Sequence, residues 1–212
     1  MRSKYLDGFA FLGIVLGTFL LYAYTAPPTV ALEDDGLFIM VCHYLGIAHP
    51  PGYPLHTLLG KLFTLIPYGT VAFRVHLLSA FCASLACGLL FYILRELKLE
   101  KKYALLGAMI YAFSDVFWSQ AIIAEVYSLN VLLYAGTLLV ILRLASGKAG
   151  IISLFYLGVV AGLGVANHWP LYILGCVPLG LIIFNKKTLA LKWRWLACVL
   201  GVTIGLTPYL WL

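Results

Sequence analysis

Five groups of side chains in this sequence have the types and spacing to do chemistry. Glu33-Asp34-Asp35 puts three carboxylates in a row. Carboxylates so grouped can take a proton from a hydroxyl, hold a hard divalent cation, or form a solvated acidic loop. His49-Pro50-Pro51-Gly52-Tyr53-Pro54 follows, with three prolines between residues 50 and 54. Prolines fix φ and forbid a helix, so His49 and Tyr53 sit on a rigid corner. Arg74 has a planar fork that suits a phosphate, a headgroup or an acid. Glu125 lies near the start of an apolar run, where a carboxylate is a functional candidate or the partner of a cation such as Arg74. Asn167-His168 precedes Trp169-Pro170, and both side chains can donate to a ligand or cap a turn.

These residues are set in a chain of 212 residues that is 63% hydrophobic and 10% charged. A soluble domain carries roughly 25% charged residues. Mean hydropathy is +1.01. There is too little polar surface to coat a globule in water, so lipid must coat it. The net charge of +6 is distributed in short clusters between apolar runs, which excludes a nucleic-acid surface. The five cysteines are odd in number and contain no CxxC pair, which excludes a disulfide framework and a zinc site. Cys42 alone falls in a loop region.

The apolar runs predict seven membrane spans: Gly8–Ala26, Ala72–Leu94, Tyr103–Trp118, Ala121–Leu142, Gly150–Ala166, Pro170–Phe184 and Trp195–Leu212. Asn167 to Pro170 divides a run too long for one crossing, and Trp118-Ser119-Gln120 divides another. Leu37–Leu45 and Leu55–Ile66 are too short to cross and predict two interfacial helices in the first outer loop, residues 27–69. The whole chain then forms one transmembrane domain.

With the N-terminus in the cytoplasm, 12 of the 14 basic residues fall on the cytoplasmic side. Only Lys61 and Arg74 fall outside. Glu33, Asp34, Asp35, Asp115 and Glu125 lie on or near the outer side with His43, His49, His56, His76, Asn167 and His168. Any chemistry is therefore expected on the extracytoplasmic face.

The strings that line that face carry a resemblance. Glu33-Asp34-Asp35-Gly36, His49-Pro50-Pro51-Gly52-Tyr53-Pro54-Leu55, Ala72-Phe73-Arg74-Val75-His76-Leu77-Leu78-Ser79, Trp118-Ser119-Gln120, Ala124-Glu125-Val126-Tyr127-Ser128-Leu129-Asn130 and Asn167-His168 together resemble the protein O-mannosyltransferase-like membrane family. That family looks like part of the type C glycosyltransferase superfamily. The resemblance runs from about residue 20 to 180. It implies an all-α polytopic enzyme that moves a sugar, mannose by the family's name, from a polyprenyl-phosphate donor to a protein or glycan hydroxyl. It implies that Asp34 is the catalytic base. A glutamate often follows three residues later in the family, and Leu37 stands there instead, which brings Asp35 forward as a second catalytic candidate. Arg74, Glu125, His49, Tyr53, Asn167 and His168 become the expected substrate-binding residues, with Arg74 on the donor phosphate.

No cofactor is expected, and a cation at Glu33, Asp34 and Asp35 is the less favoured reading. The expected location is a bacterial inner membrane or the endoplasmic reticulum. Family members usually continue further, and this chain stops in an apolar run at Leu212, so it reads as a fragment. A lipid-linked substrate transporter and a non-catalytic lipid-carrier-binding fragment or subunit are the alternatives.

Overall fold

The computed structural model describes residues 2–148, 150–183 and 195–212. Among these the chain is helical: α1 Arg2–Thr25, α2 Asp35–Tyr44, α3 Pro54–Thr64, α4 Val71–Glu96, α5 Lys101–Ala112, α6 Asp115–Ala121, α7 Tyr127–Ala145, α8 Ile151–Ile183 and α9 Trp195–Gly205, then a 3-10 turn Thr207–Trp211. Four helical segments are long and apolar enough to cross a membrane: Leu6–Thr25, Val71–Glu96, Tyr127–Ala145 and Ile151–Cys176. Their exposed faces carry large apolar residues such as Phe9, Leu20 and Leu174. Such a surface is stable against acyl chains and unstable against water. The chain is built as an integral membrane protein.

The two helices expected in the first loop are present as α2 and α3. Pro54 occupies the first turn of α3, where its missing N–H costs nothing. The corner before it turns on Gly52, at φ 95°, and on Tyr53, a non-glycine residue at φ 48°. Cys42 is not a loop thiol. It is buried in α2 against Gly60 of α3, where an added Cβ would overlap its sulfur.

Three of the expected spans differ from what the structure contains. Tyr103–Trp118 is broken into α5 and α6. Ser114 takes the N-cap position of α6 and Asp115 its first turn, and both suit a helix start. The run from Ala121 becomes helical only at Tyr127. There the Ala124 N–H leaves the helix ladder and donates to the Asp35 carboxylate. The last run also divides, with Pro208 in the 3-10 turn. The break expected between Asn167 and Pro170 is found at His168, whose φ and ψ of −148° and 80° are non-helical. Its Nδ1 accepts the Leu171 N–H and caps the second limb of α8. Lys186, Lys187, Lys192 and Arg194, counted for orientation, lie outside the described residues.

Small residues let the helices approach closely. Ala104, Ala108 and Ala112 place one face of α5 in a cluster with Ala80, Ala83 and Ala86 of α4. The Tyr22 hydroxyl of α1 donates to the Ala112 carbonyl at 2.8 Å. Gly158 and Gly162 on α8 face Gly201 and Gly205 on α9, two GxxxG pairs in mutual contact. A Cβ at Gly162 would lie 2.7 Å from the Gly205 Cα. Replacing Gly162 with leucine is expected to destabilise this crossing by about 1–3 kcal/mol or more. Thermal unfolding in detergent should show a clear fall in Tm, and an unchanged Tm would contradict the close crossing.

Candidate active site

The site is built where the loop after α1, the α3 corner, the α6–α7 link and the kink of α8 meet. The loop is moored to α4. Thr70 donates to the Pro28 carbonyl, and the His76 Nδ1 donates to the Pro27 carbonyl at 2.9 Å. His76 Nε2 lies 2.8 Å from Asp35 Oδ1, and both side chains are fully buried. The Ala124 N–H reaches the same oxygen at 2.6 Å, and the Ala31 N–H reaches Oδ2 at 2.7 Å. Burial alone would raise the Asp35 pKa, but the hydrogen bonds from His76, Ala31 and Ala124 outweigh it and hold the carboxyl below its usual range.

Asp34, one residue earlier, is in the opposite environment, with its side chain 59% exposed. Its Oδ2 lies 3.2 Å from His49 Nε2. The other ring nitrogen of His49 is 3.1 Å from the Pro50 carbonyl and 3.3 Å from the Tyr53 hydroxyl. The Pro50 carbonyl and then the Asp34 carboxylate favour the charged imidazolium, so the His49 pKa is raised. The rigid corner thus orients His49 across the mouth of the site, against an acid open to solvent.

Glu125 is the third carboxyl. It follows Ala124 directly and is 4% exposed. Burial raises its pKa to about 7, the N–H groups of Val126 and Asp34 lower it in part, and the charges of Asp34 and Glu33 raise it further. A buried carboxylic acid that titrates near neutral pH is a recurrent feature of functional sites. Its surroundings also hold aromatic rings. Tyr53 stands 5.5 Å from His168, and Tyr127 stands 6.3 Å from the same ring. Phe38 backs Tyr53 at 5.3 Å.

The expected residues therefore divide. Asp34, His49, Tyr53, Glu125 and His168 converge. Asp35 is adjacent in sequence but buried, with both oxygens occupied by N–H donors, and it is out of reach of an acceptor hydroxyl. Asn167 is buried and donates to the Val126 carbonyl at 3.1 Å, so it fixes the α7 entry.

Arg74 does not pair with Glu125. Its Nε, Nη1 and Nη2 donate to the carbonyls of Tyr68, Thr64 and Gly69. It braces the α3–α4 turn with three of its five donors. Lys61 similarly donates to the His43 carbonyl.

Three residues of the site were not singled out from the sequence. Tyr127 completes the aromatic wall, and Gln120 donates to Glu33 at 3.3 Å. His76 holds Asp35. All three lie inside the strings quoted above, so the strings marked them. An apolar cleft of about 470 Å³ opens beside this wall, lined by Tyr111, Phe117, Gln120, Tyr127, Ser128 and Val131.

Comparison with known proteins places the chain in a family. The description "Protein O-mannosyl-transferase TMEM260 N-terminal domain" matches residues 34–192. The chain belongs to that family. It is 36% identical over 198 residues to the mouse Protein O-mannosyl-transferase TMEM260, covering 90% of this chain and 28% of the relative. It is 37% identical over 115 residues to the Dictyostelium discoideum protein of the same name, covering 52% of this chain and 14% of the relative. The chain thus spans between a seventh and just over a quarter of the curated relatives it matches. No solved structure matches it. The matched region begins at Asp34 and takes in the corner, the α6–α7 link and the α8 kink, so the family's extent includes every converging residue.

The buried Glu125 gives a stability prediction. A carboxyl whose folded pKa is raised stabilises the fold fully below its unfolded pKa, and that contribution is lost as pH rises through the folded value. The window runs from the ordinary glutamate range near 4.5 up to about 7. Wild type is expected to lose on the order of 3 kcal/mol across it, and Glu125→Gln to lose little there. Tm measured from pH 5 to pH 8 checks this, and parallel curves for the two proteins would contradict it.

Proposed function

We propose that this chain carries the donor-side catalytic centre of a membrane glycosyltransferase of the O-mannosyltransferase type. It moves a sugar from a polyprenyl-phosphate donor to a hydroxyl on the extracytoplasmic face. The observation that carries this reading is the convergence of one exposed acid, Asp34, with an oriented His49, a buried protonatable Glu125 and an aromatic wall beside an apolar cleft.

Each part has a role in transfer. Asp34 takes the proton of the acceptor hydroxyl, and His49 holds the carboxylate toward solvent. The acceptor oxygen bonds to the anomeric carbon as the bond to the phosphate oxygen breaks. The electron pair leaves with the phosphate, and a single displacement inverts configuration. Glu125, protonated near neutral pH, donates to a sugar oxygen. Tyr53 and His168 present ring faces to the pyranose. The apolar cleft takes the prenyl chain from the lipid.

Seven passes fit this arrangement. Lys101 of α5 donates to the Leu6 carbonyl at one end of α1, and Ala112 receives Tyr22 toward the other. Both helices therefore run between the same two levels. The Asp7–Arg95 and Glu96–Arg143 pairs gather at the level of Leu6, opposite the site. The positive-inside rule then assigns that level, with the N-terminus, to the cytoplasm. A second reading rests on length. A chain spanning 28% of its mouse relative can be the part that binds the lipid carrier and leaves turnover to the remainder.

Purified protein in lipid, given a panel of radiolabelled polyprenyl-phosphate sugars, tests both. Transfer or slow donor hydrolysis is expected, reduced at least 10²-fold in Asp34→Asn with Tm unchanged. Full activity of that variant would remove Asp34 as the base. Tight donor binding without turnover in either protein would favour the binding part alone.

A further inference from the structure

Asp35 and His76 form a fully buried pair in a part of the fold that the transfer chemistry does not touch. Three separate backbone segments end on it: the first loop running into α2, α4, and the α6–α7 link. The Asp35 backbone belongs to the start of α2. Its carboxylate takes the N–H of Ala31 from the first loop and the N–H of Ala124 from the α6–α7 link. His76 is fixed on α4 and also holds Pro27 at the end of α1. The Pro27 carbonyl can only accept, so Nδ1 carries a proton. The two backbone N–H groups on Asp35 favour its ionised form, so Nε2 donates as well. The pair is sealed from water, with one acceptor oxygen facing each ring nitrogen of His76.

What stands beside it matters more than the pair itself. Asp34 is the residue before Asp35, and Glu125 is the residue after Ala124. The exposed acid and the buried acid sit on segments remote in sequence, and the Asp34 N–H also bonds the Glu125 carboxyl directly. One carboxylate group joins the two segments at 2.6 Å, one residue away from each acid. Glu33, on the other flank of Asp34, is held at φ 65°, a left-handed conformation that non-glycine residues adopt only when their surroundings impose it. Its carboxylate is tied to Gln120 on α6. The loop that carries Asp34 is thus clamped on both sides to the strand of chain that carries Glu125.

We infer that Asp35 and His76 are positioning residues that set the separation of Asp34 and Glu125, and so act on sugar transfer through those two groups without touching substrate. The inference rests on the transfer reading above. Errors of about 1 Å between reacting groups cost about 10²-fold in rate while leaving binding contacts made elsewhere in place. Loosening the pair should therefore lower kcat and spare the donor KM.

The test uses the purified chain in lipid, with the polyprenyl-phosphate sugar that supports the highest turnover. Asp35→Asn keeps the shape and removes the charge. It is expected to lower kcat about 10- to 100-fold with donor KM within about threefold. His76→Gln keeps a donor toward Asp35 and releases Pro27, and is expected to lower kcat less. The double variant should be no slower than Asp35→Asn, because residues acting as one unit are not additive. Hydrogen exchange is read on the same samples. The amides of Ala31 and Ala124 are expected to exchange at least tenfold faster in Asp35→Asn, and Ala31 faster in His76→Gln. An unchanged kcat in Asp35→Asn, or a loss confined to KM, would overturn the positioning role. If Asp35→Asn does not fold, the same kcat and exchange criteria apply to His76→Gln. Wild-type protein inactive with every donor would sink the transfer reading instead. Exchange at Ala31 and Ala124 would then still decide whether the clamp exists, and unchanged exchange would overturn it.

Discussion

A single buried carboxylate decides how the candidate site is put together. Removing an ionised acid from water is among the largest unfavourable terms in a fold, and it is tolerated only where donors replace the lost hydration. Asp35 has three N–H donors, from His76, Ala31 and Ala124, and no exposed surface. This satisfaction makes the arrangement stringent. Taking away one partner leaves a charge in a dry interior and costs about 3–5 kcal/mol. The first loop, α4 and the α6–α7 link are therefore not free to drift apart. The loop path, the late start of α7 and the placing of Glu125 are consequences of finding donors for one side chain.

The same constraint separates three neighbouring acids into three environments. Asp34 faces solvent beside His49, Asp35 is neutralised in the interior, and Glu125 is buried with only backbone N–H groups and aromatic rings for company. A reaction that must accept a proton at one oxygen and donate a hydrogen bond at another needs such unlike surroundings. Had all three been solvated together, their mutual repulsion would have favoured a counter-cation or an open loop. Burial of Asp35 takes one charge out of the cluster and ties down the backbone of the other two segments.

Much of this was legible in the sequence, for identifiable reasons. The apolar runs, the rigid His49–Pro54 corner and the break at His168 follow from covalent constraints local to the chain, since prolines and polar pairs act where they stand. The close helix crossing of α8 and α9 was also written there, in Gly158, Gly162, Gly201 and Gly205, although a periodicity reading passes over it. What was not legible depends on tertiary contact. Nothing in Ala121–Val126 announces that its backbone will be drawn out of a helix, since the cause is Asp35, some 89 residues away. Arg74 and Glu125 read as partners because opposite charges in apolar runs usually are. Carbonyls at the end of α3 lay closer to hand for the arginine.

The exchange of Arg74 from phosphate ligand to loop brace bears on how the donor would be held. With three of its donors on backbone carbonyls, the guanidinium is oriented by the α3–α4 turn before any ligand arrives. Beside the convergent acids stands His49 instead, whose pKa the Pro50 carbonyl and then Asp34 raise, favouring its charged form. A histidine in that place can partner Asp34 and can also turn its ring toward another anion in the site. It sits on the proline corner, so its backbone need not move to do either. The rigidity of the corner and the adaptability of one imidazole are thus complementary. The corner fixes where the cation stands, and the ring fixes which anion it serves.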